Sequence, residues 1–122
     1  MEERIESLFN DIDRMDADKF ASYLDEEVSF RFGNAPVVTG KKAVRDAVDG
    51  FFKSIKGIRH KKLRMWLHAD SILYQGIVTY TRHDGSEVTL PYLNLFFLNG
   101  EKIKEYLIYM DINPLFASSS EK

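Results

Sequence analysis

The second half of the chain carries the feature that most constrains its fold: four long apolar segments separated by very short turns. The segments are rich in the aromatic and β-branched residues that favour strands, and they span residues 58 to 68, 72 to 82, 87 to 98 and 102 to 112. The last turn is Asn99-Gly100, a strong hairpin signal because a type I′ turn needs positive φ at both central residues. Strands joined by such turns are antiparallel neighbours. The pattern therefore predicts a four-stranded antiparallel meander.

The final segment can be divided into two faces, because side chains alternate along a strand. One face carries Glu105, Leu107, Tyr109 and Asp111, and the other carries Tyr106, Ile108 and Met110. Neither face is consistently polar, so we expect both to be covered. Asp111 ends this segment among apolar residues, and it is either a turn residue or the acidic group of a pocket.

The first half of the chain has helical periodicity. Apolar residues recur at helical spacing over residues 2 to 15. A second, shorter helix begins at Asp16 or Asp18, either of which can cap it. The third begins at Thr39 as its N-cap and ends near Gly57.

These elements predict an α+β fold. The alternating segment 28 to 32 adds a strand at one side of the meander. Three N-terminal helices before a mainly antiparallel sheet cover one of its faces. Strands this long exceed the usual five or six residues, so we expect the sheet to curve strongly into a cone around the helices.

Composition limits the class of protein. A chain of 122 residues corresponds to one domain, which we place at residues 1 to 116, with a disordered tail at 117 to 122. The net charge of −2 argues against a nucleic-acid or membrane partner. The absence of cysteine excludes disulfides and thiol chemistry. The polar start and the lack of a long apolar run favour a cytoplasmic protein.

The longest strand predicts a partner for the sheet. If its even-numbered residues point toward the helices, the opposite face still carries Leu93, Leu95 and Phe97. A sheet face this apolar needs cover. Because two-fold symmetric dimers are the commonest assemblies, we expect a homodimer through the sheet face.

Three stretches resemble a known superfamily over nearly the whole chain. They are Asp16-Ala17-Asp18-Lys19-Phe20 through Asp25-Glu26-Glu27-Val28, then Thr39-Gly40-Lys41-Lys42-Ala43-Val44, then Asn99-Gly100 through Tyr109-Met110-Asp111. The chain resembles the nuclear-transport-factor-2-like (NTF2-like) superfamily, and within it the SnoaL-like polyketide-cyclase and ketosteroid-isomerase-like branch. The resemblance implies a cystatin-like cone in a single SnoaL-like domain.

The resemblance also implies where functional residues lie. The isomerase base position is occupied here by Phe32, the oxyanion tyrosine by Leu8 and the second oxyanion acid by Asn94. These residues argue against the isomerase reaction. In epoxide-hydrolase-like members an arginine and two aspartates activate water, but Tyr92 and Asn94 occupy the comparable strand. The cyclase-like position, an aspartate on the last strand, matches Asp111.

Asp111 is therefore the predicted catalytic residue, as a proton shuttle, unless it only stabilises the turn before Asn113-Pro114. The predicted substrate-binding residues are Asn94, Tyr92, Tyr109, Phe32, Trp66 and His68. The resemblance implies a small-molecule pocket protein, and the enzyme expected from it is a cofactor-independent cyclase, isomerase or hydratase that performs acid–base chemistry on an apolar carbonyl compound. The alternatives are a non-catalytic protein that binds an apolar ligand and a dimeric interaction module.

Other polar features have plainer interpretations. His60 lies within a run of six cations and no acids at residues 53 to 64. That run can bind phosphate or nucleic acid, but a solvated helix end and strand edge is the favoured interpretation. The turn at His83-Asp84 is assigned to turn chemistry. Because the three histidines lack ligand spacing and no carboxylate cluster joins them, we predict no metal site. The sequence has no Gly-rich phosphate loop, and we predict no cofactor.

Overall fold

The computed structural model describes residues 1–117. Its elements are α1 (Glu2–Asp13), α2 (Ala17–Ala21), β1 (Leu24–Phe32), β2 (Val38–Thr39), α3 (Lys41–Lys53), β3 (Gly57–His68), β4 (Ser71–Thr81), β5 (Glu87–Asn99), β6 (Lys102–Tyr109) and α4 (Asn113–Phe116). The predicted α+β architecture is confirmed, with helices at the N-terminus packed on a curved sheet. Of the predicted tail at residues 117 to 122, only residue 117 belongs to the described part of the chain.

The six strands form one sheet in the order β2-β1-β6-β5-β4-β3. The meander β3 to β6 is antiparallel throughout, as the short turns predict. β1 joins it by parallel pairing with β6, which places Phe30 opposite Tyr106. The sheet is thus mainly antiparallel, and β3 and β2 form its edges.

The inner face of the sheet packs against the helices and carries most of the aromatic side chains. The even-numbered residues of β4, and those of β5 from Tyr92 onward, are buried, including Tyr74, Tyr92 and Phe96. Phe9 from α1 stacks on Tyr74 with ring centroids 4.1 Å apart. Phe96 meets Tyr106 edge to face at 4.6 Å. Packing of this kind fixes α1 across the sheet.

A β-bulge in β3 changes which side chains face inward. Before it, His60 pairs with Val78 and shares its inner face. The register shifts between Lys62 and Arg64. After the shift Trp66 pairs with Leu73, on the outer face. The extra residue of a bulge reverses the alternation of everything that follows it.

Several element boundaries differ from the predicted ones. Thr39 belongs to the two-residue strand β2, and Gly40, with φ of 99°, is the N-cap of α3. Helix α3 ends at Lys53, with Ser54 as its C-cap, instead of reaching Gly57, which is the first residue of β3. Helix α4 follows β6 and was not predicted. No helix among residues 1–117 is long and apolar enough to cross a membrane.

Three of the six cations in the basic run contact acidic side chains. Lys62 contacts Glu6 at 2.6 Å, Arg59 contacts Glu87 at 3.3 Å, and Lys53 contacts Asp49 within α3 at 3.0 Å. These contacts fit the solvated-surface interpretation better than a phosphate site.

Candidate functional site

A cavity of about 340 Å³ lies between the curved sheet and the helices. Its volume is at the small end of the range for ligand pockets. The wall is mostly aliphatic and aromatic, with His60, Tyr92 and Asn94 as buried or half-buried polar residues. Residues that line the cavity and are also solvent-exposed mark its mouth: Asn34, Ala35, Pro36, Ala47 and Phe116.

The strongest polar contact in the cavity wall joins β3 to the end of α1. His60 Nδ1 lies 2.6 Å from Asp13 Oδ1. The backbone N–H of His60 donates to the other oxygen of the same carboxylate at 3.0 Å. Because an ionised carboxylate only accepts, Nδ1 carries the proton, and a neutral ring then has its lone pair at Nε2. Nε2 makes no hydrogen bond to any residue in the described part of the chain.

The orientation of the His60 ring is fixed by aromatic neighbours as well. Its centroid lies 4.9 Å from that of Phe9 and 5.2 Å from that of Tyr92, both edge to face. The Tyr92 ring reaches β3 by crossing Gly76 of β4, its partner across the ladder. A Cβ at Gly76 would lie 2.7 Å from the Tyr92 hydroxyl oxygen. Gly76 therefore makes room for Tyr92 beside His60.

Two polar atoms near this pair have no partner. The Tyr92 hydroxyl and Asn94 Oδ1 are buried, and neither makes a hydrogen bond within residues 1–117. Burial raises the pKa of the Tyr92 phenol far above its usual range, so it remains protonated and is a hydrogen-bond donor. Unpaired buried polar groups are rare in folded proteins. Because the Tyr92 hydroxyl and Asn94 Oδ1 belong to residues of the cavity wall, a ligand in the cavity can form the missing hydrogen bonds.

Three of the predicted site residues line the cavity. Tyr92 and Asn94 lie two apart on the inner face of β5, and Phe32 lies at the end of β1. The alternation of side chains along β5 predicts the inward orientation of Tyr92 and Asn94. The Phe32 ring contacts Phe51 of α3, with centroids 5.3 Å apart. It therefore belongs to the apolar wall.

Three others lie outside the cavity. Trp66 and His68 follow the bulge in β3 and are exposed on the outer face of the sheet, opposite Leu73 and Ser71. Tyr109 pairs with Leu93, also on the outer face, and is 54% exposed. The expectation that these three contact a ligand in the cavity is corrected by this geometry.

Asp111 is also outside the cavity. Its side chain is exposed, and Oδ1 accepts a hydrogen bond from the Asn113 backbone N–H at 3.0 Å. The neighbouring residues Met110 and Ile112 point into the cavity in its place. Asp111 thus stabilises the turn that leads into α4, which was the alternative interpretation of this residue.

The pair of His60 and Asp13 was missed by the sequence analysis. His60 was grouped with the surrounding cations, although it lies two residues after Ile58 on one strand face. Asp13 follows Phe9 by four residues, which places both on the same side of α1. The spacing of His60 from Ile58 and the spacing of Asp13 from Phe9 were the features of the sequence that indicated an inward orientation of both residues. In the described chain, no group of three or more His, Asp or Glu converges as metal ligands do.

Comparison with known families identifies the domain. The family model for the SnoaL-like domain matches residues 5–106. The chain belongs to the SnoaL-like family. A search of curated protein sequences found no match. The match covers the helices and strands that form the cavity, up to the middle of β6, and leaves α4 outside it.

Solved structures share the fold of this SnoaL-like domain. A candidate polyketide cyclase from Xanthomonas campestris pv. campestris is 15% identical, with 92% of this chain and 90% of that one covered and a TM-score of 0.83. An epoxide hydrolase of the LEH-like type from M. tuberculosis is 14% identical, with coverage of 93% and 84% and a TM-score of 0.79. An NTF2-like protein of unknown function from Burkholderia pseudomallei is 12% identical, with coverage of 93% and 92% and a TM-score of 0.84. These likenesses establish the NTF2-like fold.

Proposed function

We propose that this SnoaL-like protein is a cofactor-independent enzyme of the cyclase, isomerase or hydratase type, acting on an apolar carbonyl compound. The observation that carries the proposal is the 2.6 Å contact between His60 and Asp13 in the wall of an apolar cavity. A carboxylate on Nδ1 holds the imidazole in one orientation and leaves Nε2 available for proton transfer. His60 thus takes the role that the sequence assigned to Asp111.

In this proposal, Nε2 of His60 removes a proton from the carbon next to a carbonyl group. The electrons move onto the carbonyl oxygen, which becomes an enolate. The Tyr92 hydroxyl, which has no partner among residues 1–117, donates a hydrogen bond to that oxygen, and the unpaired Oδ1 of Asn94 accepts one from another polar group of the ligand. Donors fixed before the reaction stabilise the developing charge without reorganising. Return of the proton to the far carbon of a conjugated double bond gives isomerisation. Attack of the enolate carbon on a second carbonyl carbon of the same molecule forms a C–C bond and moves the π electrons of that carbonyl onto its oxygen, which takes the proton back from His60, and the product is cyclised.

The test is hydrogen exchange in a panel of cyclic ketones dissolved in D₂O, followed by proton NMR. We expect the wild-type protein to accelerate the loss of the α-proton signal. General acid–base catalysis contributes roughly 10²- to 10⁴-fold, so His60→Gln should lose most of the acceleration. Asp13→Asn should lose part of it, because the ring is then no longer held by a charged acceptor.

His68→Gln is the matched control, since it removes an imidazole from the outer face of the same strand. It should exchange protons at the wild-type rate. Equal rates in the wild type and His60→Gln would overturn the assignment of His60. Chemical-shift changes on ketone binding verify that each variant still takes up the probe.

A second candidate is a protein that holds an apolar ligand without converting it. The nearly continuous apolar lining of the cavity favours this function. Saturable binding of the ketones with no exchange in either the wild type or His60→Gln would support it. Such binding should weaken in Asn94→Leu, which keeps the volume of the side chain and removes its polar atoms.

A further inference from the structure

The last helix lies beside the mouth of the cavity. Its Phe116 lines the cavity and is 61% exposed to solvent. The polar groups His60, Tyr92 and Asn94 belong to the middle of β3 and β5 and are buried or nearly so. A ligand whose oxygen reaches those groups extends toward the mouth of the cavity, where Phe116 is one of the exposed lining residues.

Helix α4 has only four residues, too few to persist without tertiary support. One support is Arg82, in the turn between β4 and β5. Its Nε donates to the Leu115 carbonyl at 2.9 Å, and its Nη2 donates to the Pro114 carbonyl at 2.8 Å. Carbonyls at the end of a helix have no partners of their own, and a guanidinium supplies them.

Arg82 is itself fixed by the turn that carries it. Its Nη1 donates to Ser86 Oγ at 3.0 Å, and that hydroxyl donates to Asp84 at 2.6 Å. The backbone N–H of Arg82 donates to the Ser86 carbonyl at 2.8 Å. Leu115, only 3% exposed, anchors the helix in the core. Helix α4 is thus attached to the rigid sheet and acts as a wall.

We propose that α4, held by Arg82, is the specificity-determining wall of the cavity and that Phe116 sets the length of the ligand. This inference rests on the proposed use of the cavity as a ligand site. The apolar lining near Phe116 includes Met110 and Ile112, which suit an alkyl or ring substituent. The ligand class is therefore a carbonyl compound whose apolar tail has a limited length.

The probes are cyclohexanones that carry a 4-alkyl tail of increasing length, measured by calorimetric titration. In the wild type, each added methylene should tighten binding by about fourfold while the tail is still being buried. The gain should stop at the tail length that reaches Phe116. Phe116→Ala should move this limit to longer tails, and Phe116→Trp should move it to shorter ones.

Arg82→Gln should also raise the limit, because α4 loses the donors to two of its carbonyls. Arg59→Gln is the matched control, an exposed arginine that pairs with Glu87, and it should leave the limit unchanged. Circular dichroism verifies that the variants are folded. We expect the Phe116 variants to fold, because Phe116 is mostly exposed to solvent. The same limit in the wild type and both Phe116 variants would overturn this inference alone. Failure of the wild type to bind any of the ketones would overturn the ligand site, and this inference with it.

Discussion

At the scale of single residues, Gly76 is the position where the site depends most directly on backbone geometry. A Cβ there would lie 2.3 Å from the Lys61 carbonyl oxygen and 2.7 Å from the Tyr92 hydroxyl oxygen. Backbone cannot move aside as a flexible side chain can. We expect Gly76→Ala to lower the free energy of unfolding by roughly 1–3 kcal/mol, the usual range for overpacking. Urea unfolding measures this change.

Gly50→Ala is the control for that experiment. Gly50 lies in α3, and a Cβ there meets nothing within 4 Å. Alanine is preferred to glycine inside a helix by about 1 kcal/mol. The same substitution should therefore stabilise the protein at Gly50 and destabilise it at Gly76. A gain of stability at both positions would contradict the close approach of Tyr92.

The residues of the site were only partly predictable from the sequence. Tyr92 and Asn94 follow from the alternation of a long strand that is regular up to its last residues. Asp111 was predicted to act in a pocket, but its side chain lies outside the cavity. Alternation along the last strand places Asp111 on the same face as Tyr109, and the structure shows that this is the outer face of the sheet. The pair of His60 and Asp13 joins residues 47 positions apart. Such a contact depends on how α1 crosses the sheet, which no local pattern specifies.

At the scale of elements, the bulge in β3 explains why Trp66 and His68 lie outside the cavity. Trp66 and His68 have the same parity as His60, so uninterrupted alternation places all three on one face. The bulge between Lys62 and Arg64 reverses that parity. The sequence there is Lys61-Lys62-Leu63-Arg64, without the glycine that often marks a bulge. The strand itself was predictable, and its register was not.

The attachment of α1 to the start of β1 gives a pH-dependent contribution to stability. The Tyr23 hydroxyl donates to Asp11 at 2.7 Å. Burial, together with this hydrogen bond, raises the pKa of Tyr23 from 10.0 to about 12. The folded protein therefore keeps this proton to higher pH than the unfolded chain. The stabilisation is complete below about pH 10 and is lost as the pH rises through about 12.

Tyr23→Phe should remove this part of the pH dependence. Unfolding free energies from urea titrations at several pH values above about 9 should fall less steeply in the variant than in the wild type. Part of the slope should remain, because burial also raises the pKa of Tyr80 and Tyr106. Identical slopes in the two proteins would contradict the role of Tyr23.

At the scale of the whole molecule, the outer face of the sheet remains to be covered. The strand register places four apolar residues in one row across β3 to β6: Trp66, Leu73, Leu95 and Leu107. Trp66 is 48% exposed at the end of this row. In the next row, the buried side-chain oxygen of Gln75 makes no hydrogen bond to the described residues. The continuous apolar row, with a half-exposed tryptophan at its end, fits a surface that a second copy covers.

We therefore propose a homodimer through the outer face of the sheet, with Leu95 near its centre. Sedimentation equilibrium should give twice the chain mass of 14.2 kDa. Leu95→Lys places a charge in the centre of the interface and should weaken dimerisation by roughly thirtyfold or more. Val37→Lys is the control, because Val37 is 52% exposed in the loop after β1 and lies outside the apolar row on β3 to β6. A monomeric wild type at micromolar concentration would rule out the dimer, and equal weakening by both substitutions would move the interface elsewhere.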